Sequence, residues 1–185
     1  MRYLRLMAIL LVVLWAVCPF IIPNPAQAAT AGEINRDVQS ALQSLYAKTP
    51  SAQVLGEKAK AILVFPSITK AGFIVGGQYG EGAMIRNGKI AGYYNTVSAS
   101  YGLQAGIQKY GYALFLMTDS MLKYLNRSDG WELGVGPSVV VVDVGKAGGI
   151  STTTAQSDAY AFFFDQKGLM AGLGLQGTKI TKIQK

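Results

Sequence analysis

The 185-residue sequence contains no histidine and a single cysteine. Without histidine there can be no Ser-His-Asp or Cys-His nucleophile and no HExxH zinc site. Cys18 lies near the start, so residues 29–185 hold no thiolate ligand, no cysteine nucleophile and no disulfide. Charge is also sparse: 15% of residues are charged, with 10 acids against 17 bases. An enzyme made from this chain would have to work with carboxylates, lysine or tyrosine. Several acids fall where helix caps and turns place them. Glu81 and Asp143 stand out because each lies in or beside an apolar strand. A paired-carboxylate glycosidase would need two such groups about 5–10 Å apart in a cleft. Phosphate-loop patterns fail as well. Gly82 to Lys89 has one residue too many between its glycines, and Ile90 follows where Ser or Thr should bind Mg²⁺. GGQYGEG at 76–82 does not open a helix, and there is no Asp/Asn-rich calcium loop. No metal and no cofactor is expected.

What is present begins with a leader. Arg2 and Arg5 precede an apolar run from Leu6 to Ile22, and Ala26-Gln27-Ala28 supplies a small-x-small ending. That pattern describes a secretory signal peptide cleaved after Ala28. The run reaches the lower edge of membrane-spanning length, but Pro19 and Pro23 interrupt it, which disfavours a retained anchor. Trp15-Ala16-Val17 lacks the small residue that lipidation of Cys18 would need. Loss of the two leader arginines lowers the formal charge from +7 to +5. The expected product, residues 29–185, is long enough for one domain with its own core. Its expected location is periplasmic, envelope-associated or secreted.

The chain is organised around Ala71 to Thr118, a stretch dense in glycine, tyrosine and phenylalanine. Asn87-Gly88 provides the two positive-φ positions of a type I′ hairpin turn. Glycine at this density argues against helix, at about 1 kcal/mol per residue relative to Ala. In strands it marks bends and close backbone approaches. The stretch reads as a meander of curved antiparallel strands. Before it, Thr30-Ala31-Gly32-Glu33 forms a capping box, and Ile34, Val38, Ala41, Leu42 and Leu45 follow at helical spacing until Pro50. Such a helix packs its stripe on the sheet or lies on a lipid surface. A second helix is expected from a Ser51 cap to Lys60, then a buried strand from Ile62 to Phe65 closed by Pro66. Asp119 caps a short helix, and Leu133 to Val144 reads as a buried strand bent at Gly136-Pro137. Asp158 to Asp165 and Leu169 to Gln176 read as a last hairpin, followed by a lysine-bearing tail. The fold class is α+β: one domain, a curved antiparallel Gly-rich sheet, sandwich or barrel-like, with N-terminal helices packed on it.

Tyr79, Tyr93, Tyr94, Tyr101, Tyr110 and Tyr112 with scattered lysines could form a base-stacking face. The leader argues against nucleic acid as a partner, and the positive charge suits anionic headgroups or an acidic surface polymer instead.

Three stretches, in order, carry a resemblance: AKAILVFPSITKAGFIVGGQYGEG, WELGVGPSVVVVDVG and DAYAFFFDQKGLMAGLGLQGTKI. Together they resemble the SYLF-domain family, from about Glu33 to Ile183. The resemblance implies an α+β fold and binding of phosphoinositide or phospholipid, with an N-terminal amphipathic segment contributing. In yeast-type members it also implies actin binding. On this basis the expected lipid contacts are Ile34, Val38, Leu42 and Leu45 as an insertable face, and Lys48, Lys58, Lys60 and Lys70 at the headgroups. The expected function is that of a non-catalytic, exported phospholipid-binding protein. Alternatives are a structural or protein-binding module using an exposed sheet edge, and a carboxylate-dependent hydrolase.

Overall fold

The computed structural model describes residues 28–73, 75–101, 106–127, 131–132, 136–142, 157–168 and 177–185. Eight strands form one sheet: β1 (Ala61–Phe73), β2 (Val75–Arg86), β3 (Lys89–Tyr101), β4 (Gly106–Leu116), β5 (Trp131–Glu132), β6 (Val139–Val142), β7 (Ala159–Gly168) and β8 (Lys179–Ile183). Their order is β5-β8-β3-β2-β1-β4-β7-β6. All pairs are antiparallel except β6 with β7. The sheet does not close on itself, so the expected sandwich or barrel is replaced by a single open layer. Nor is the glycine-rich stretch a simple meander. β4 returns to pair with β1, which makes β1 to β4 a Greek key.

The local chemistry explains the pattern. Asn87 (φ 51°) and Gly88 (φ 73°) form the expected turn between β2 and β3. β1 does not stop at Pro66, contrary to expectation. The register against both neighbours shifts by one residue there, so Pro66 lies in a bulge where no ladder N–H is required. The bulge also exchanges faces: Leu63, Phe65 and then Ile68 belong to one core, Ile62 and Val64 to the other. Opposite it, a Cβ on Gly82 would run into the Val64 carbonyl and the Phe65 ring, so only glycine fits.

Helix α1 (Ala31–Lys48) begins with the expected capping box: the Thr30 hydroxyl accepts from the Glu33 N–H, and the Thr30 N–H donates to the Glu33 carboxylate at 2.8 Å. Helix α2 (Pro50–Lys58) starts at Pro50 instead of at a Ser51 cap, because a first-turn position needs no N–H donor. Both cover one face of the sheet. Helix α3 (Asp119–Leu125) covers the other; Thr118, not Asp119, caps it by accepting from Met121.

Leu133 to Val144 departs further from the expectation of a continuous buried strand. Trp131–Glu132 and Val139–Val142 are separate short strands; among the described strands β6 ends the order, and Val140 and Val141 are exposed. β7 runs through Gln166 and Lys167, where a turn was expected, and bulges at Asp165 (φ 50°). The expected partner strand at 169–176, and Asp143, lie outside the described residues. The tail forms a strand of its own, β8, which places Ile180 fully in the core.

Candidate functional site

The two faces of the sheet are closed to different extents. On the α3 face, burial extends further along the central strands, to Gln78, Thr96 and Gln108. Tyr94, Tyr112, Phe65 and Ile68 pack there, and three buried side-chain hydrogen bonds run among them. The Tyr110 hydroxyl donates to Gln78 at 2.6 Å, Gln78 donates to Thr178 at 3.1 Å, and the Tyr112 hydroxyl donates to Thr96 at 2.9 Å. Burial raises the pKa of Tyr110 to about 12 and that of Tyr112 further, so both remain neutral donors.

On the opposite face, α1 and α2 cover only one end. β4 records the boundary: exposed and buried residues alternate from Ile107 to Tyr110, and every position from Tyr110 to Leu116 is buried. Beyond the boundary, the registers align six strands into one row, Lys179, Val97, Tyr79, Thr69, Lys109 and Lys167. At the usual strand spacing this row spans roughly 24 Å. All six are exposed, with Tyr79 at 50% and Val97 at 44%. The adjacent row, Ala99, Gly77, Ala71 and Ile107, is small-sided except for Ile107, which is 64% exposed. The result is an exposed surface with an apolar and aromatic centre and lysines at both ends. Sequence reading missed it because Lys109, Lys167 and Lys179 lie far apart in the chain, and only the strand order brings them into register.

At the border between the covered and open parts lies Glu81. Its carboxylate accepts from the Lys185 ammonium at 2.8 Å and from the Tyr79 hydroxyl at 2.7 Å. Burial works against its ionisation, but Lys185, Tyr79 and the Ala29 backbone N–H outweigh this and hold its pKa below the usual carboxylate value. A carboxylate with both oxygens engaged is poorly placed to act as a free base. A cavity of about 650 Å³ adjoins it, lined by Ala28, Ala29, Asp37, Ser67 and Thr69 among others.

The expected lipid contacts are dispersed. Ile34, Val38, Leu42 and Leu45 are all buried against the sheet, between 0 and 8% exposed. Lys48 pairs with Asp165 at 3.0 Å at the end of α1, beside a smaller cavity of about 240 Å³. Lys58 is exposed at the end of α2, and Lys60 lies 3.9 Å from Asp119. Lys70 belongs to the α3 face, in register between Gln78 and Gln108. The structure therefore does not gather these four lysines on one surface. Among the described residues no helix is long and apolar enough to cross a membrane, a statement that does not bear on membrane crossing by strands.

Residues 97–185 match the family model described as Las17-binding protein actin regulator, Ysc84. Over that segment the match agrees with the resemblance to the SYLF-domain family. The match takes in β4 to β8, α3 and the end of β3, and with them four of the six residues of the exposed row: Val97, Lys109, Lys167 and Lys179. The stretches at 60–66 and 72–82, which also carried the resemblance, lie outside it. No curated protein matches the chain. The match supports a binding module related to lipid or actin.

Proposed function

We propose that this chain is a non-catalytic phospholipid-binding protein of the cell envelope, exported through its leader, and that the open part of the sheet is its membrane face. The observation that carries this reading is the row from Lys179 to Lys167, with Tyr79 and Val97 inside it and Ile107 beside it. Tyrosine suits the headgroup level because its ring is apolar and its hydroxyl polar. A lysine held near an anionic surface contributes about 1 kcal/mol. The face needs no rearrangement to meet a bilayer. The apolar stripe of α1 would first have to leave the core, at about 1.5–3 kcal/mol per large side chain. Insertion of Ile34, Val38, Leu42 and Leu45 is therefore placed second, after headgroup contact.

The test is co-sedimentation of the processed protein with anionic and neutral vesicles. Binding to anionic vesicles that weakens with salt is expected; binding to neither kind would refute the proposal. A second reading, as a protein-binding module in keeping with the actin-regulator description of the family, draws on β6, which ends the order of the described strands, with its exposed Val140 and Val141. It predicts capture of a protein partner that survives high salt.

A further inference from the structure

Glu81 and Lys185 form the most enclosed ion pair among the described residues, with side chains 12% and 10% exposed. The same Lys185 ammonium donates to the Ala29 carbonyl at 2.9 Å. Ala29 thus lies at the centre of a charged cluster, one residue before the Thr30 cap of α1. It is also the first residue after the expected cleavage point. We propose that cleavage after Ala28 creates an N-terminal ammonium that binds the Glu81 carboxylate and fastens α1 to the sheet. This inference rests on the export reading above, not on lipid binding.

The chemistry is a peptide hydrolysis by an export-linked endopeptidase. The Ala28–Ala29 C–N bond breaks, water supplies the hydroxyl of the new Ala28 carboxylic acid, and the freed Ala29 amine takes up a proton. Before cleavage the nitrogen of Ala29 is a neutral amide; even so, its N–H already faces Glu81. Afterwards it carries a full positive charge at the same place. The charged groups around it are Glu81 and Lys185, with Asp37 lining the same cavity and itself beside Arg36. Glu33 is engaged by Thr30. The new ammonium joins Lys185 at the Glu81 carboxylate, and charge-assisted hydrogen bonds of this kind are the stronger ones.

The experiment begins with the intact mass of the exported protein, expected to correspond to a chain starting at Ala29. Any other start overturns the inference, and an unprocessed chain also overturns the export reading. A second protein carries one alanine inserted between Ala28 and Ala29, so that processing leaves the ammonium one residue away. Its Tm is expected to fall by roughly 3–6 °C, and Glu81→Gln should erase that difference. Equal melting temperatures, or a difference that survives Glu81→Gln, would count against it. If Glu81→Gln does not fold, labelling of the wild-type α-amine decides. With an N-terminus-selective reagent at neutral pH, at least tenfold protection relative to the urea-unfolded chain is expected, and unprotected labelling overturns the proposal.

Discussion

The same strands present two faces with opposite fates. On the α3 side, tyrosines are buried and their hydroxyls hydrogen-bonded to Gln78 and Thr96. On the other side beyond α1, Tyr79 stands half exposed between Val97 and Thr69. Tyrosine therefore serves as core on one face and as surface on the other; its hydroxyl has a partner on both, and what differs is whether other side chains cover the ring. The buried face costs stability when altered. The open part should tolerate change in stability and lose only binding.

The largest effect is expected from Phe65→Ala. Phe65 is fully buried and packs on the Tyr112 ring at a centroid distance of 4.9 Å. Its truncation should cost about 3–5 kcal/mol in urea unfolding. A loss below about 1 kcal/mol would mean that this face is not a packed core.

Next comes Tyr112→Phe, which removes only the hydroxyl that donates to Thr96. The buried Thr96 oxygen is left without its partner, and a loss of about 1–3 kcal/mol is expected. Tyr79→Phe on the open face removes an equivalent hydroxyl from Glu81, yet its effect should stay within about 0.5 kcal/mol, as at other exposed positions. Equal losses from the two variants would erase the distinction between the faces.

Lys109→Glu combined with Lys179→Glu tests the open part for function. Thermal stability should be unchanged within error, since both side chains are exposed. Partition onto anionic vesicles should fall at least about 30-fold, from about 1 kcal/mol per lost lysine. Vesicle binding that is unaffected would move the membrane face elsewhere on the molecule.

The contrast between the faces was only partly legible in the sequence. The capping box, the Asn-Gly turn and the α1 stripe follow from local chemistry, and each is found where it was expected. The assignment of Ile34, Val38, Leu42 and Leu45 could not be decided locally, because an amphipathic stripe looks the same whether it meets a sheet or a lipid. Pro66 misled because a proline inside a central strand requires a bulge, and a bulge is visible only through its neighbours' register. β8 was hidden in a lysine-rich tail, and β6 among valines that suggested burial but end the order of the described strands. The open row exists only after β8, β3, β2, β1, β4 and β7 have been placed side by side.

The smallest effect concerns the border between the two parts, where Glu81 is held by Lys185 and Tyr79. Burial alone would raise its pKa, but these donors reverse the sign, so the folded protein binds that proton less tightly than the unfolded chain does. Stability from a depressed carboxylate pKa is fully present above the unfolded value and is lost as pH falls through the folded one. Glu33 and Asp158 are depressed too, Glu33 by its Thr30 hydrogen bonds and Asp158 by those from Ser138 and Thr118, so acid denaturation of the wild type reports all three. The comparison with Glu81→Gln isolates one. The variant should be less stable at pH 7, and the gap should narrow below about pH 4.5, closing as Glu81 itself becomes protonated. A gap that stays constant down to the acid limit would mean that Glu81 acts through packing, and that the border between the covered and open parts is not held by charge.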